Sequence, residues 1–132
     1  MMLLIASALL SVQQAPEQDY DCDDPQNQME MNACAGQDFA RADAELNRIW
    51  PGLIANAREA DREVDRNYDA RPSSETTLRE AQRAWIAFRD AHCTWQAYEA
   101  RGGSMESMLY GACRADLTRE RIRQLTEPGL GG

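Results

Sequence analysis

The chain has no lysine, and all 14 of its basic residues are arginine. We read this as compositional bias, because arginine does not substitute for lysine at every kind of site. It has a single histidine, His92, and no partner for it stands at a recognisable catalytic spacing. No nucleophile–base pair, phosphate-binding glycine loop or HExxH motif occurs, so the sequence offers no recognisable enzyme chemistry. With 22 acidic residues, two that mimic a glycosidase pair would arise by chance. No segment alternates apolar and polar residues as a half-buried strand does. No cysteines stand two to four residues apart, the spacing that structural zinc sites favour. Internal repeats, low-complexity tracts and long linkers are also missing. No cofactor and no metal are expected.

The longest apolar run, Leu3 to Val12, falls short of the roughly 20 residues a membrane-spanning helix needs. It has the size of the apolar region of a secretory signal, although no Arg or Lys precedes it. We take residues 1–15 as that signal, cleaved after Ala15. Asp-Tyr-Asp before Cys22 is not a lipidation signal, so no lipid anchor or stable membrane insertion is expected. The charge is unevenly distributed. Glu17, Asp19, Asp21, Asp23, Asp24, Glu30 and Asp38 face no basic side chain in residues 1–40, whereas 15 acids face 14 arginines beyond them. Nearly all of the net charge of −8 therefore belongs to the N-terminal region. Such a field disfavours nucleic acid and favours a basic partner.

Cysteines 93 and 113 lie ten residues on either side of Gly103. Gly102 and Gly103 suit a helix stop, since glycine takes the left-handed conformation without steric penalty, and Ser104 could cap a following helix. In two antiparallel helices, positions equidistant from the turn come side by side. The spacing predicts a hairpin closed by Cys93–Cys113, which leaves Cys22–Cys34 by exclusion. Two disulfides in a small exported chain add roughly 2–4 kcal/mol each.

The fold expected is all-α, a small antiparallel bundle of three to four helices. An acidic segment (16–25) precedes a helical domain (26–127) and a flexible tail (128–132). The first helix should begin near Gln26, with Asp24 as cap and Pro25 at the first helical position. Its apolar stripe is Met31, Ala35, Phe39, Ala42, Leu46 and Ile49. Trp50-Pro51 should kink or restart it, with Leu53, Ile54, Ala57 and Val64 continuing more weakly. Ser73 or Ser74 caps the central helix, whose apolar seam reads Leu78, Ala81, Trp85, Phe88, His92 and Trp95. The last helix, from about Met105 to Leu125, carries Leu109, Cys113, Leu117, Ile122 and Leu125.

The segments ACAGQDFARADAELNRIW, LREAQRAWIAFRDAHC and GGSMESMLYGACRADLTRERIRQL resemble, in order and spacing, the lysozyme inhibitor LprI-like N-terminal domain family. QRAWIAFRDAHC, ADAELN and CRADLTRERIRQL are the most specific parts. The resemblance spans about residues 22 to 125. It implies a small, exported, helical domain with four cysteines, and one functional idea: binding and inhibition of lysozyme.

Polar residues border the apolar stripes. Asp43 and Asn47 share a face of the first helix, Gln82 and Arg89 lie on the central one, and Arg121 on the last. They read as a partly buried network fixing helix register, with Asp43 as partner for Arg89, because a buried guanidinium needs a carboxylate. Asp19, Asp21, Asp23 and Glu30 fall at positions 1, 3, 5 and 12 of a calcium loop. Asp24, however, stands where the sharp turn needs glycine, so a solvated acidic segment is the better reading.

The leading function is an exported binding module, periplasmic or secreted, whose partner is a basic lysozyme-type muramidase. Asp19, Asp21, Asp23 and Asp24 form the first contact patch, and Arg101, Gly102, Gly103 and Ser104 the second. Two other classes are a structural or envelope-stress accessory protein without lysozyme affinity, and an enzyme of unknown type.

Overall fold

Residues 20–127 and Gly129 are described by a computed structural model; Asp19 and the expected signal lie outside the described residues. Three helices follow in order: α1 (Gln28–Arg62), α2 (Ser74–Ala97) and α3 (Glu106–Thr126), with a short 3-10 turn over Tyr98–Ala100. No strand occurs among the described residues. Both disulfides form, Cys22–Cys34 with Cα atoms 5.6 Å apart and Cys93–Cys113 at 5.5 Å.

The helix ends correct two expectations. Asn27, not Asp24, caps α1: its side chain accepts the Glu30 N–H, and Glu30 reaches back to accept the Gln26 N–H at 2.7 Å. This reciprocal arrangement satisfies donors that a helix start leaves free. Pro25 stands outside the helix, just after the turn that Asp21 closes. Ser104 does not cap α3 either, since its first residue is Glu106 and no side chain caps Met105. Glu106 instead accepts the Gly102 N–H at 2.6 Å. Ser73 caps α2 by accepting the Thr76 N–H.

A kink or restart was expected at Pro51; α1 does not restart there but continues as one helix to Arg62. Proline removes one backbone donor. Beyond it, Ile54 and Ala57 are buried, and Arg58 pairs with Glu75 of α2 at 2.7 Å. That packing holds the last turns in helical register.

Helices α1 and α3 run parallel and α2 antiparallel to both. Asn32 bonds to Ser104, Gly111 lies against Ala35, and Arg119 pairs with Asp38, so α1 and α3 advance together. A Cβ on Gly111 would come within 3.1 Å of the Ala35 backbone. Only glycine lets the two helix backbones approach so closely.

The largest correction concerns α2. Of the expected seam, Leu78, Trp85 and His92 are half-buried, while Ala81, Phe88 and Trp95 are exposed, Phe88 at 56% and Trp95 at 69%. The inward face carries Gln82, Arg89, Cys93 and Ala97. The cause is the Cys93 bridge. Facing Cys93 to α3 brings in residues four before and four after it. It turns Phe88 and Trp95 about 140° and 160° away, at roughly 100° per residue.

Candidate functional site

One end of the bundle gathers the beginnings of α1 and α3 and the end of α2. The acidic turn arrives there first. Asp21 accepts the Asp23 N–H on its carboxylate at 3.1 Å and the Asp24 N–H on its carbonyl at 3.2 Å. Cys22–Cys34 pins this turn to the second turn of α1. Asp21, Asp23 and Asp24 are all exposed.

The loop between α2 and α3 reaches the same end. Gly102 has φ +76°, a left-handed conformation that glycine adopts freely. The Gly103 N–H donates to the Ala100 carbonyl at 2.8 Å, and Asn32 donates to the Ser104 carbonyl at 2.9 Å. The Arg101 guanidinium lies 4.2 Å from the Tyr98 ring centroid. Each loop residue is thus tied down by its neighbours, although all four are exposed. Both patches from the sequence, Asp19 apart, come to this one tip.

Apolar surface lies among the charges. Met29, Trp95, Tyr98 and Met105 are exposed around the tip. A groove of about 640 Å³ opens between Asn32, Thr94, Ala97, Ser107 and Tyr110. Arg101 is the sole arginine between Arg89 and Arg114, and residues 20–40 contain no arginine, lysine or histidine. Acidic side chains thus surround exposed apolar side chains and one guanidinium at this end of the bundle.

Of the polar residues expected to form a network, Gln82 and Arg89 are buried, Asp43 and Arg121 half-buried and Asn47 exposed. Arg89, only 6% exposed, sits 5.0 Å from the ring centroids of both Phe39 and Trp85. It donates to Asp90 at 2.9 Å and to Thr118 at 3.4 Å. Asp43 stands 4.0 Å away, so the closest carboxylate is Asp90, its chain neighbour. Asn47 donates to Asp43 at 3.4 Å, and Arg121 donates to Gln82 at 3.0 Å. Burial lowers the Arg121 guanidinium below its ordinary value.

Arg114, absent from the expectations, completes the arrangement. It lies 3.8 Å from the Phe39 ring and 4.1 Å from Tyr110. With Arg121 at 5.8 Å from Trp85, rings and guanidiniums alternate: Tyr110, Arg114, Phe39, Arg89, Trp85, Arg121. Among the described residues the Nε of Arg114 has no hydrogen-bond partner, and two ring faces lie against its guanidinium. Such contacts contribute about 0.5–2 kcal/mol each, more where water is excluded. The ladder draws rings from all three helices, and Arg114 was detectable only as the residue four after Tyr110 on one helix face.

Among the described residues, no group of three or more His, Cys, Asp or Glu is placed to hold a metal, and no helix is long and apolar enough to cross a membrane. The family described as "Lysozyme inhibitor LprI" matches residues 22–125. The chain belongs to this family. "Uncharacterized protein R02472" of Rhizobium meliloti (strain 1021) is similar to it, at 43% identity over 126 residues, 96% of this chain and 88% of that protein. No solved structure matches. LprI membership and the two disulfides, which persist in oxidising surroundings, point to an extracytoplasmic protein of an inhibitor family rather than an enzyme family.

Proposed function

We propose that this LprI-family protein is a periplasmic or secreted binding module that inhibits a basic lysozyme-type muramidase through the acidic tip. The observation that carries this reading is a convergence. A disulfide-pinned acidic turn, a glycine loop tied by backbone hydrogen bonds and exposed Met29, Tyr98 and Met105 occupy one end of the bundle. Asp21, Asp23 and Asp24 would meet the basic rim of the partner. Arg101 would be offered to the carboxylates in its cleft, where such enzymes keep a catalytic pair.

A turbidity assay with purified protein and a basic lysozyme tests the proposal. Inhibition is expected at micromolar protein and low salt, and it should weaken as salt screens the encounter. Changing Asp19, Asp21, Asp23 and Asp24 together to asparagine should reduce it several-fold while the melting curve stays in place. Absence of inhibition by the unaltered protein at low salt overturns the function. Unchanged inhibition by the fourfold variant removes the acidic turn as the site.

A further inference from the structure

The outward face of α2 is unusual in a chain with 27% charged residues. Ala81, Phe88 and Trp95 recur every seven residues, as do Ala84, Ala91 and Tyr98, and all six are exposed. Tyr98, the C-cap, keeps helical backbone angles of φ −65° and ψ −10°, so it extends the stripe. Two interleaved seven-residue series form the seam that one helix presents to another in a coiled coil. No member is charged.

We propose that this seam pairs two copies of the chain, antiparallel, through their α2 helices. The order of side-chain sizes is self-complementary only in that direction. Ala81 faces Tyr98 of the second copy, Ala84 faces Trp95, and Phe88 faces Ala91. A two-fold axis repeats each pair. Every ring thus meets an alanine, giving each aromatic knob a hole. The Phe88–His92 stack, with ring centroids 5.3 Å apart, and the His92–Trp95 contact at 5.7 Å hold the rings in place before pairing.

Charge favours the same direction. Parallel pairing would bring two acidic tips together. Antiparallel pairing separates the α2 ends by about 25 Å at a rise of 1.5 Å per residue, well beyond the screening length of about 8–10 Å at physiological salt. The acidic turns, the glycine loops, Met29 and Met105 also remain free, whereas Trp95 and Tyr98 pass into the seam. A ring buries roughly 150–250 Å² when fully covered. Six half-open rings, with the alanines, reach the order of 1,000 Å², the lower end for a specific contact. A contact of this size is expected to be weak or transient.

Sedimentation velocity on the disulfide-intact protein, from about 1 to about 500 µM, tests this. Twice the monomer mass is expected at the upper end. Ala91→Glu and Ala84→Trp, at sites exposed in the single chain, should each weaken pairing at least ten-fold while helical circular dichroism and melting hold. A monomer at every concentration overturns the proposal, as does a dimer indifferent to both variants. A monomer whose lysozyme binding is lost in Ala91→Glu would assign the stripe to the muramidase instead, and would equally overturn it.

Discussion

The two faces of α2 invert the usual division of side chains. Inward it carries Arg89 and Gln82, and outward it carries Phe88 and Trp95. Arginine can be buried here because its flat cation stacks between Phe39 and Trp85 and reaches Asp90 and Thr118. Its charge thus meets ring faces and hydrogen-bond acceptors in place of water. Outside, Phe88 and Trp95 meet the His92 ring and otherwise stay exposed. The difference teaches that the rotation of a helix can be set by one covalent point, here Cys93, against the pull of its apolar residues.

Breaking that point should have the largest effect. Replacing Cys93 and Cys113 by alanine removes a crosslink of 20-residue separation, at a cost of about 3 kcal/mol. A denaturant titration would show this as a lower midpoint. Arg89→Ala comes next, at about 2–3 kcal/mol, because it leaves a gap between two rings. Asp43 and Asp90 are half-exposed and rehydrate, which keeps the loss below that of a fully buried ion pair. The same titration should show Arg89→Met losing less than Arg89→Ala.

Acid acts more gently and on the other end of α2. Arg58 and Arg79 hold the Glu75 carboxyl below its ordinary value, and Arg71 does the same for Asp69. A carboxyl lowered in this way stabilises the folded state above its ordinary value, and the contribution is lost as pH falls through the lowered one. Glu75 and Asp69 are half-buried and their arginine partners reach solvent, so screening keeps the loss modest. Melting temperature should hold between neutrality and about pH 5 and decline below about pH 4. The smallest effect belongs to the outer face. Trp95→Ala in dilute protein should change stability by less than about 0.5 kcal/mol, as for other exposed positions. A drop matching that of Arg89→Ala would mean that the outer ring is part of the core after all.

Much of the architecture was legible in the sequence. The 3–4 spacing of Met31 through Ile49 specifies α1, and the glycine pair midway between Cys93 and Cys113 specifies the hairpin and its bridge. The rotation of α2 was not, because Ala81, Phe88 and Trp95 form as regular a stripe as Gln82, Arg89 and Cys93. The signal was nevertheless present: a bridged cysteine must face its partner helix, so Cys93 was the better guide to the inner face. The caps failed for a local reason. Asp, Asn and Ser compete as caps; Asn27 accepts the Glu30 N–H and starts α1 beyond Asp24, and α3 starts at Glu106, which leaves Ser104 in the turn before it. At the candidate site, the sequence marked the acidic turn and the glycine loop. Their meeting at one tip depends on contacts across the bundle, such as Asn32 with Ser104, which no local pattern records.

The most direct test of the functional account is the association rate of the protein with immobilised basic lysozyme at low and high salt. The account predicts fast association that slows several-fold as salt rises and slows similarly when the tip aspartates become asparagine, with dissociation little changed. Association that ignores both salt and the aspartates, or no association at all, would contradict it.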